Sequence, residues 1–375
     1  MLGFKSWLKA LYKFTVTGIL FFVAMNPVFS EEGSLAKGKK TENQADKSFK
    51  PGEFIFEHIG DSYGWHILTW NGQEISVPLP VILFSRTKGW VVFSSAKLDH
   101  GKAMYNDFKL ELEGPNKGKV VEIKKDGSQI KPLDISITKN VCAVLFSILL
   151  LLTIFLSTAK KYKSIPGQAP SGLQNALEVF IVFIRDDIAK PSIGHKYEKF
   201  MPYLLTVFFF IWFNNMLGLI PIMPGGANVT GNIAVTLVLA VFTFVITSIN
   251  GNLHYWREFV DAPGVPWWLK LPIPLMPIVE ISGLFIKPFV LMVRLFANMT
   301  AGHIVALGFF CLIFFFGNMN PAIGYGVSVL SVSFVIFMSL LELLVALIQA
   351  YVFTLLSALY FGMATTEHHT AEEHH

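Results

Sequence analysis

Charge is what this sequence has least of. Aspartate, glutamate, lysine and arginine make up only 15% of its 375 residues, and the net charge is +4. A soluble globular chain carries a larger charged share, and a nucleic-acid binder gathers its bases into a stripe, so both classes are set aside. Cysteine is equally scarce: Cys142 and Cys311 each sit inside an apolar run and read as small hydrophobes, not as a disulfide or a metal pair. No phosphate-cradling glycine loop or other nucleotide-binding motif occurs, which assigns nucleotide chemistry elsewhere. What the chain does have is apolar sequence, 53% hydrophobic and 14% aromatic. It comes in blocks long enough to cross a hydrocarbon core of about 30 Å, which takes about 20 helical residues. This is a membrane composition.

The first thirty residues, "MLGFKSWLKALYKFTVTGILFFVAMNPVFS", open with Lys5, Lys9 and Lys13, continue into an apolar run and close on small residues. That is the layout of a secretory signal peptide, with an uncleaved anchor as the alternative; either way the following segment is exported. Residues 31–50 are polar and of low complexity, and read as a disordered linker. Residues 51–140 then change character. Short β-type runs, "FIFEH", "WHILTW", "EISVPL", "WVVFSS", "FKLEL" and "KVVEI", are separated by turn signals and predict a small β-rich domain outside the membrane. His58, His66 and His100 match no compact metal-ligand spacing and read as ordinary surface or strand residues.

Five spans are expected in the membrane domain, residues 141–363: near 141–159, 203–220, 233–249, 275–316 and 322–363. "KKYK" directly after the first span marks a cytoplasmic end, which puts the β-rich domain on the outer side, in agreement with the signal peptide. Residues 172–190 place Leu173, Leu177, Phe180, Ile181, Ile184 and Ile188 at helical spacing among polar neighbours, as an amphipathic helix in the interface would. Residues 250–270 bring the chain back to the cytoplasmic face with an interfacial tryptophan belt. The last two blocks, about 40 residues each, would be about 60 Å long as straight helices, so they are expected to be tilted or bent. The fold class is thus an all-α polytopic membrane protein with five membrane helices, one interfacial helix and a small N-terminal β-rich domain, the last two helices forming an antiparallel hairpin. The polar tail from 364 to 375, with its interrupted histidines, reads as a solvated cytoplasmic end.

Ionisable groups in the hairpin are few, and a charge at the bilayer centre costs about 3 kcal/mol even on mild scales, so each is a functional candidate. Glu280, Lys287 and Arg294 repeat every seven residues on one stripe, with Asn298 a turn beyond; Glu342 and Gln349 form a matching stripe on the second helix. In an antiparallel hairpin, residues at one depth have position numbers with a constant sum. Arg294 with Gln349 gives 643 and His303 with Glu342 gives 645, and half of that falls at about 321.5, inside the turn signal "GNMNPA". An Arg294/Gln349 level and a His303/Glu342 level are therefore expected. His303 lies about half a turn round a straight helix from Arg294, so both face one partner only if the helix bends near Gly302 or the partner wraps it. A histidine and a carboxylate in a wet cavity can relay protons. Arginine cannot: it is a fixed charge that blocks proton leakage and attracts an ionised carboxylate. The plainer alternative is that Arg294 pairs with Glu280 or Glu342 to hold helices together.

"KPFVLMVRLFANMTAGHIV" and "LELLVALIQAYVFTLLSALYF" resemble the C-terminal hairpin of the subunit a family of F-type ATP synthases, the membrane stator beside the rotating ring of c subunits. "FFFIWFNNMLGLIP" and "NVTGNIAVTL" are similar to earlier segments of the same family, and the resemblance covers about residues 140–363. It implies that Arg294 separates two aqueous half-channels and meets the c-ring carboxylate, that Asn298 and Gln349 line that surface, and that Glu280 belongs to a proton path. Many bacterial members carry glutamate where His303 stands and histidine where Glu342 stands; the exchange here is as in mitochondrial members. An acidic position of some members in the second span is Gly218 in this chain, and the exported domain is a departure from the shortest ones.

The function expected is a proton-translocating stator that is not an enzyme by itself, placed in the cell inner membrane with its N-terminal domain periplasmic and its C-terminus cytoplasmic. The partners implied are the c-ring, the peripheral-stalk subunit b and the lipid bilayer, with no cofactor, metal, nucleotide or nucleic acid. A secondary ion transporter should show internal repeats, which are not found, and a sodium-coupled form of the same machine would be decided by the c subunit. An intramembrane metalloprotease would need a ligand set that the spans lack.

Overall fold

The computed structural model describes residues 51–70, 73–124, 127–164, 169–220, 225–260 and 275–365. The expected signal peptide, the linker, residues 261–270 of the tryptophan segment and residues 366–375 of the tail lie outside the described residues.

The N-terminal region is β-rich, with one correction at its start. "FIFEH" is not a strand but part of helix α1 (Pro51–Ile59). Pro51 at the first helical position favours a helix. Phe54 and His58 then fall one turn apart, with ring centroids 4.1 Å from each other and His58 Nδ1 2.9 Å from the Phe54 carbonyl. α1 also packs on the long helix α8 defined below, a tertiary contact invisible to local pattern. Strands β1 (Gly64–Trp70) and β2 (Gln73–Pro78) form an antiparallel hairpin. β3 (Pro80–Ser85) lies between β4 (Gly89–Ser94) and β9 (Leu133–Asp134), while β5 (Met104–Tyr105), β6 (Phe108–Leu110), β7 (Val120–Ile123) and β8 (Gln129–Ile130) make a second antiparallel sheet. Alternation in β3 turns Val81, Leu83 and Ser85 inward, where the two residues Val81 and Leu83 meet Phe93, Leu98, Phe108 and Val120 in the domain core.

The membrane domain begins with α2 (Lys139–Ser164). The amphipathic segment is helical as α3 (Leu173–Phe183), passes through a wider π turn over Ile184–Ala189 and continues as the short α4 (Lys190–Ile193). α5 (Tyr197–Leu219) and α6 (Ile233–Asn250) follow, then α7 (Leu253–Val260), α8 (Leu275–Met319) and α9 (Pro321–Thr365). Among the described residues, five helices are long and apolar enough to cross a membrane. α8 and α9 span 45 residues each and pack against one another as an antiparallel hairpin. The turn between them is a single residue: Asn320 Oδ1 accepts from Ala322 N at 2.9 Å, a cap on α9, and Pro321 occupies its first position.

α9 packs on α5 and α8 on α6. The core between them is aromatic, with Phe155 at 4.8 Å from Phe209 and Phe200 stacked on Phe361 at 4.7 Å between ring centroids. Hydroxyls pin the same helices: Tyr203 Oη lies 2.6 Å from Thr243 Oγ1, which lies 3.4 Å from Ser357 Oγ. At the end of the bundle away from the β domain, Asn252 donates its backbone N–H to the Ala364 carbonyl at 2.9 Å and its side-chain amide to the Thr365 carbonyl at 3.1 Å, closing α7 onto α9.

Candidate functional site in the membrane hairpin

The hairpin register can be read from contacts along its length. Near the tip, a Cβ on Gly324 would stand 2.7 Å from the Gly317 Cα; further along, the Phe309 and Phe334 rings stack at 5.1 Å. A Cβ on Gly302 would collide with Glu342 Oε1, and Lys287 Nζ stands 5.8 Å from the Tyr360 ring centroid. These pairs have position sums of 641, 643, 644 and 647 in that order, a slow drift that carries Glu342 to the residue beside His303.

His303 is turned away from the open side of α8. Its Nε2 lies 3.8 Å from where a Cβ on Gly218 of α5 would stand, and the Ala227 carbonyl lies 3.4 Å from that same point. The imidazole thus fills the room that a longer side chain at 218 would take. Among the described residues, His303 Nε2 is buried and has no hydrogen-bond partner, and the same holds for Asn228 Nδ2 in the 220–232 loop and for Asn140 Oδ1 at the start of α2. Buried polar atoms left unpaired cost about 1–3 kcal/mol each.

Arg294 and Asn298 occupy another face. Residues 286, 290, 294, 298, 301 and 305 are exposed at helical spacing, so Arg294 sits in a stripe that none of the described residues covers. Gln349 is 6% exposed, on the inner side of α9, and no hydrogen bond joins it to Arg294. Glu280 is half-buried near the start of α8. Arg294 forms no ion pair with Glu280 or Glu342, so neither carboxylate neutralises it. The six residues singled out in the sequence therefore divide into His303 against α5, Glu342 against Gly302 one residue away, Arg294 and Asn298 on the open face, Gln349 inside, and Glu280 towards the opposite end. α8 runs unbroken through Gly302 and Pro288, and the two faces differ because nine residues separate Arg294 from His303.

The "NVTGN" segment and the paired asparagines of α5 meet here. Thr230 Oγ1 donates to Asn215 Oδ1 at 2.6 Å, Asn215 Nδ2 donates to the Ala346 carbonyl at 3.4 Å, and Thr300 Oγ1 donates to the Gly231 carbonyl at 3.4 Å. α5, the loop, α8 and α9 are thereby tied at the His303 level. An ATP synthase A chain family match covers residues 141–362, which is all of this bundle. The chain belongs to the ATP synthase A chain family. It is 46% identical over 251 residues to ATP synthase subunit a 2 of Chlorobaculum tepidum, which is 66% of this chain and 68% of that one. It is also 44% identical over 254 residues to ATP synthase subunit a of Chloroherpeton thalassium, covering 66% and 72%, and 44% identical over 249 residues to that of Myxococcus xanthus, covering 64% and 77%. Residues 54–138 match a separate family described as a domain of unknown function (DUF8433).

Several participants were not singled out from sequence. Gly302 was named only as a possible bend, and its close approach to Glu342 Oε1 had no signal. Asn140 and Asn228 carried none, because an asparagine near a helix end reads as a cap. Lys139 and Asp61 carried none either, because the contact between the β domain and the bundle is made through backbone groups.

Proposed function

We propose that this protein is the proton-translocating stator of an F-type ATP synthase, with two half-channels that meet the c-ring on either side of Arg294. The observation that carries this reading is the position of Arg294. It stands exposed on one continuous helix, about 21 Å along the axis from Glu280 and about 14 Å in the other direction from His303 at 1.5 Å per residue. A charge that cannot be shed therefore separates two protonatable levels, on a face left open for a partner. The flanking Ala297 and Ala301 would let a ring helix approach closely. Protons from the β-domain side reach His303 and Glu342, neutralise a c-subunit carboxylate, travel with the ring and leave past Arg294 by the Glu280 side. Asn298 lines the ring surface and Gln349 supports it from inside α9. The β domain is periplasmic and the C-terminus cytoplasmic, and subunit b of the peripheral stalk holds the chain against rotation.

The test is Arg294→Ala in the complete enzyme. Coupled ATP synthesis is expected to vanish while the complex still assembles; normal proton-driven synthesis would overturn the reading. Arg294→Lys keeps a charge that can be lost on burial, and is expected to fail as well.

A further inference from the structure

The N-terminal domain is not a loosely tethered appendage. Lys139 donates its backbone N–H to the Ser62 carbonyl at 2.9 Å and its Nζ to the His58 carbonyl at 3.2 Å, and Asn140 donates its backbone N–H to Asp61 Oδ1 at 3.0 Å. With α1 packed on α8, these bonds seat the domain on the end of the bundle that holds His303. Lys139 is itself an electrostatic neighbour of His303 and of Asp61. The seam also contains a buried side-chain oxygen without a partner among the described residues: Asn140 is 1% exposed and its Oδ1 is unpaired. Asn228, 5% exposed with Nδ2 unpartnered, adjoins Ala227 near His303. Asp61, by contrast, is exposed, its Oδ1 accepting from the backbone N–H groups of Ser62 and Asn140 at 3.0 Å each.

We propose that this seam is the mouth of the proton path on the β-domain side: Asp61 and Lys139 form its lip, and water held by Asn140 and Asn228 carries protons from there to His303. The N-terminal domain would then have a task, to shape where protons leave bulk water. The charge arrangement suits it. Asp61 draws protons to the lip, while the Lys139 ammonium balances that carboxylate and repels other cations. Dense protein raises the Asp61 carboxyl above the ordinary aspartate value, opposed by the N–H groups of Asn140 and Ser62, the Thr138 hydroxyl and Lys139. This inference rests on His303 being a path residue, so the experiment separates the two.

The complete ATP synthase, with Cys142 and Cys311 replaced by alanine and Ser62→Cys introduced, is placed in liposomes and stripped of its catalytic head to read passive proton conduction. A membrane-impermeant cationic thiosulfonate is added on the β-domain side. Modification is expected to lower conduction by on the order of tenfold, while the same reagent on Glu113→Cys, in the exposed β6–β7 loop, leaves it unchanged. Asp61→Asn is expected to conduct less and Asp61→Glu to recover. Full modification of Ser62→Cys with normal conduction would overturn the mouth, as would failure of the reagent to reach that thiol, since a mouth must be wet. His303→Leu run alongside distinguishes the cases. Unchanged conduction there would overturn the path itself, whereas loss there with normal conduction in modified Ser62→Cys would overturn the mouth alone.

Discussion

Glu342 Oε1 occupies the space that a Cβ on residue 302 would need. The carboxylate is the mobile end of a flexible side chain, so a methyl group at 302 would displace it without prising the two helices apart. Gly302→Ala is expected to assemble normally, because alanine also raises helix propensity by about 1 kcal/mol. Proton conduction should nevertheless fall several-fold, as the acid is moved off its level beside His303. Wild-type conduction in an assembled Gly302→Ala complex would show that the placement of Glu342 is immaterial.

Gly362 gives the opposite outcome for the same substitution. A Cβ there would run into the backbone carbonyl of Ser192 in α4, and its carbonyl carbon would stand 3.0 Å away. Backbone cannot step aside as a carboxylate does. Gly362→Ala should therefore separate α9 from α4 at a cost of about 1–3 kcal/mol, the usual scale of overpacking. The measurement is retention of the subunit in the complex on heating in detergent; unchanged retention would contradict the close approach.

The contrast between these glycines shows what local sequence can and cannot carry. Span positions were legible because twenty apolar residues have few other fates, and the hairpin turn was legible because Asn320 and Pro321 end one helix and start the next. Counting also brought Glu342 to within one residue of its expected level, against Gly302. The opposite faces of Arg294 and His303 were legible too, from the nine residues between them, but what receives the imidazole was not: Gly218 of α5 leaves room for it. The misread "FIFEH" has the same origin: α1 is settled by packing on α8, some 240 positions away in sequence. Seating of the β domain on the bundle depends on backbone carbonyls at His58 and Ser62, which no side-chain pattern announces.

Within the β domain, Tyr63 is 8% exposed, donates its hydroxyl to Asp134 and accepts from Val120 N at 3.4 Å. Burial first, then the Asp134 charge, holds its phenol well above the ordinary tyrosine value near 10. The folded domain thus keeps this proton when the unfolded chain would lose it. Its contribution is full below about pH 10 and is lost as pH rises above that value. Protease resistance of the domain should fall at alkaline pH, and Tyr63→Phe, which removes the donor to Asp134 Oδ2 and leaves Oδ1 to Ser136 N–H, should lower stability already at neutral pH by about 1 kcal/mol. Equal resistance of both proteins at neutral pH would refute the role.

Asn215, Thr230 and the Ala346 carbonyl provide a test of how the His303 level is held. All three partners are buried, and Asn215 is 0% exposed. Asn215→Leu leaves the buried Thr230 hydroxyl without its acceptor, whereas the Ala346 carbonyl keeps its bond within α9, and should cost about 1–3 kcal/mol, read as a lower unfolding temperature of the assembled subunit. Adding Thr230→Val removes one orphan, so the double variant should be more stable than Asn215→Leu alone. Conduction should not recover in parallel. The Thr230 bond positions the loop that presents Asn228 beside His303, and Ala346 lies one turn after Glu342, so an apolar pair restores packing without restoring a wet, aligned level. If stability and conduction returned together, the asparagine would be a packing residue and the polar level would not depend on it.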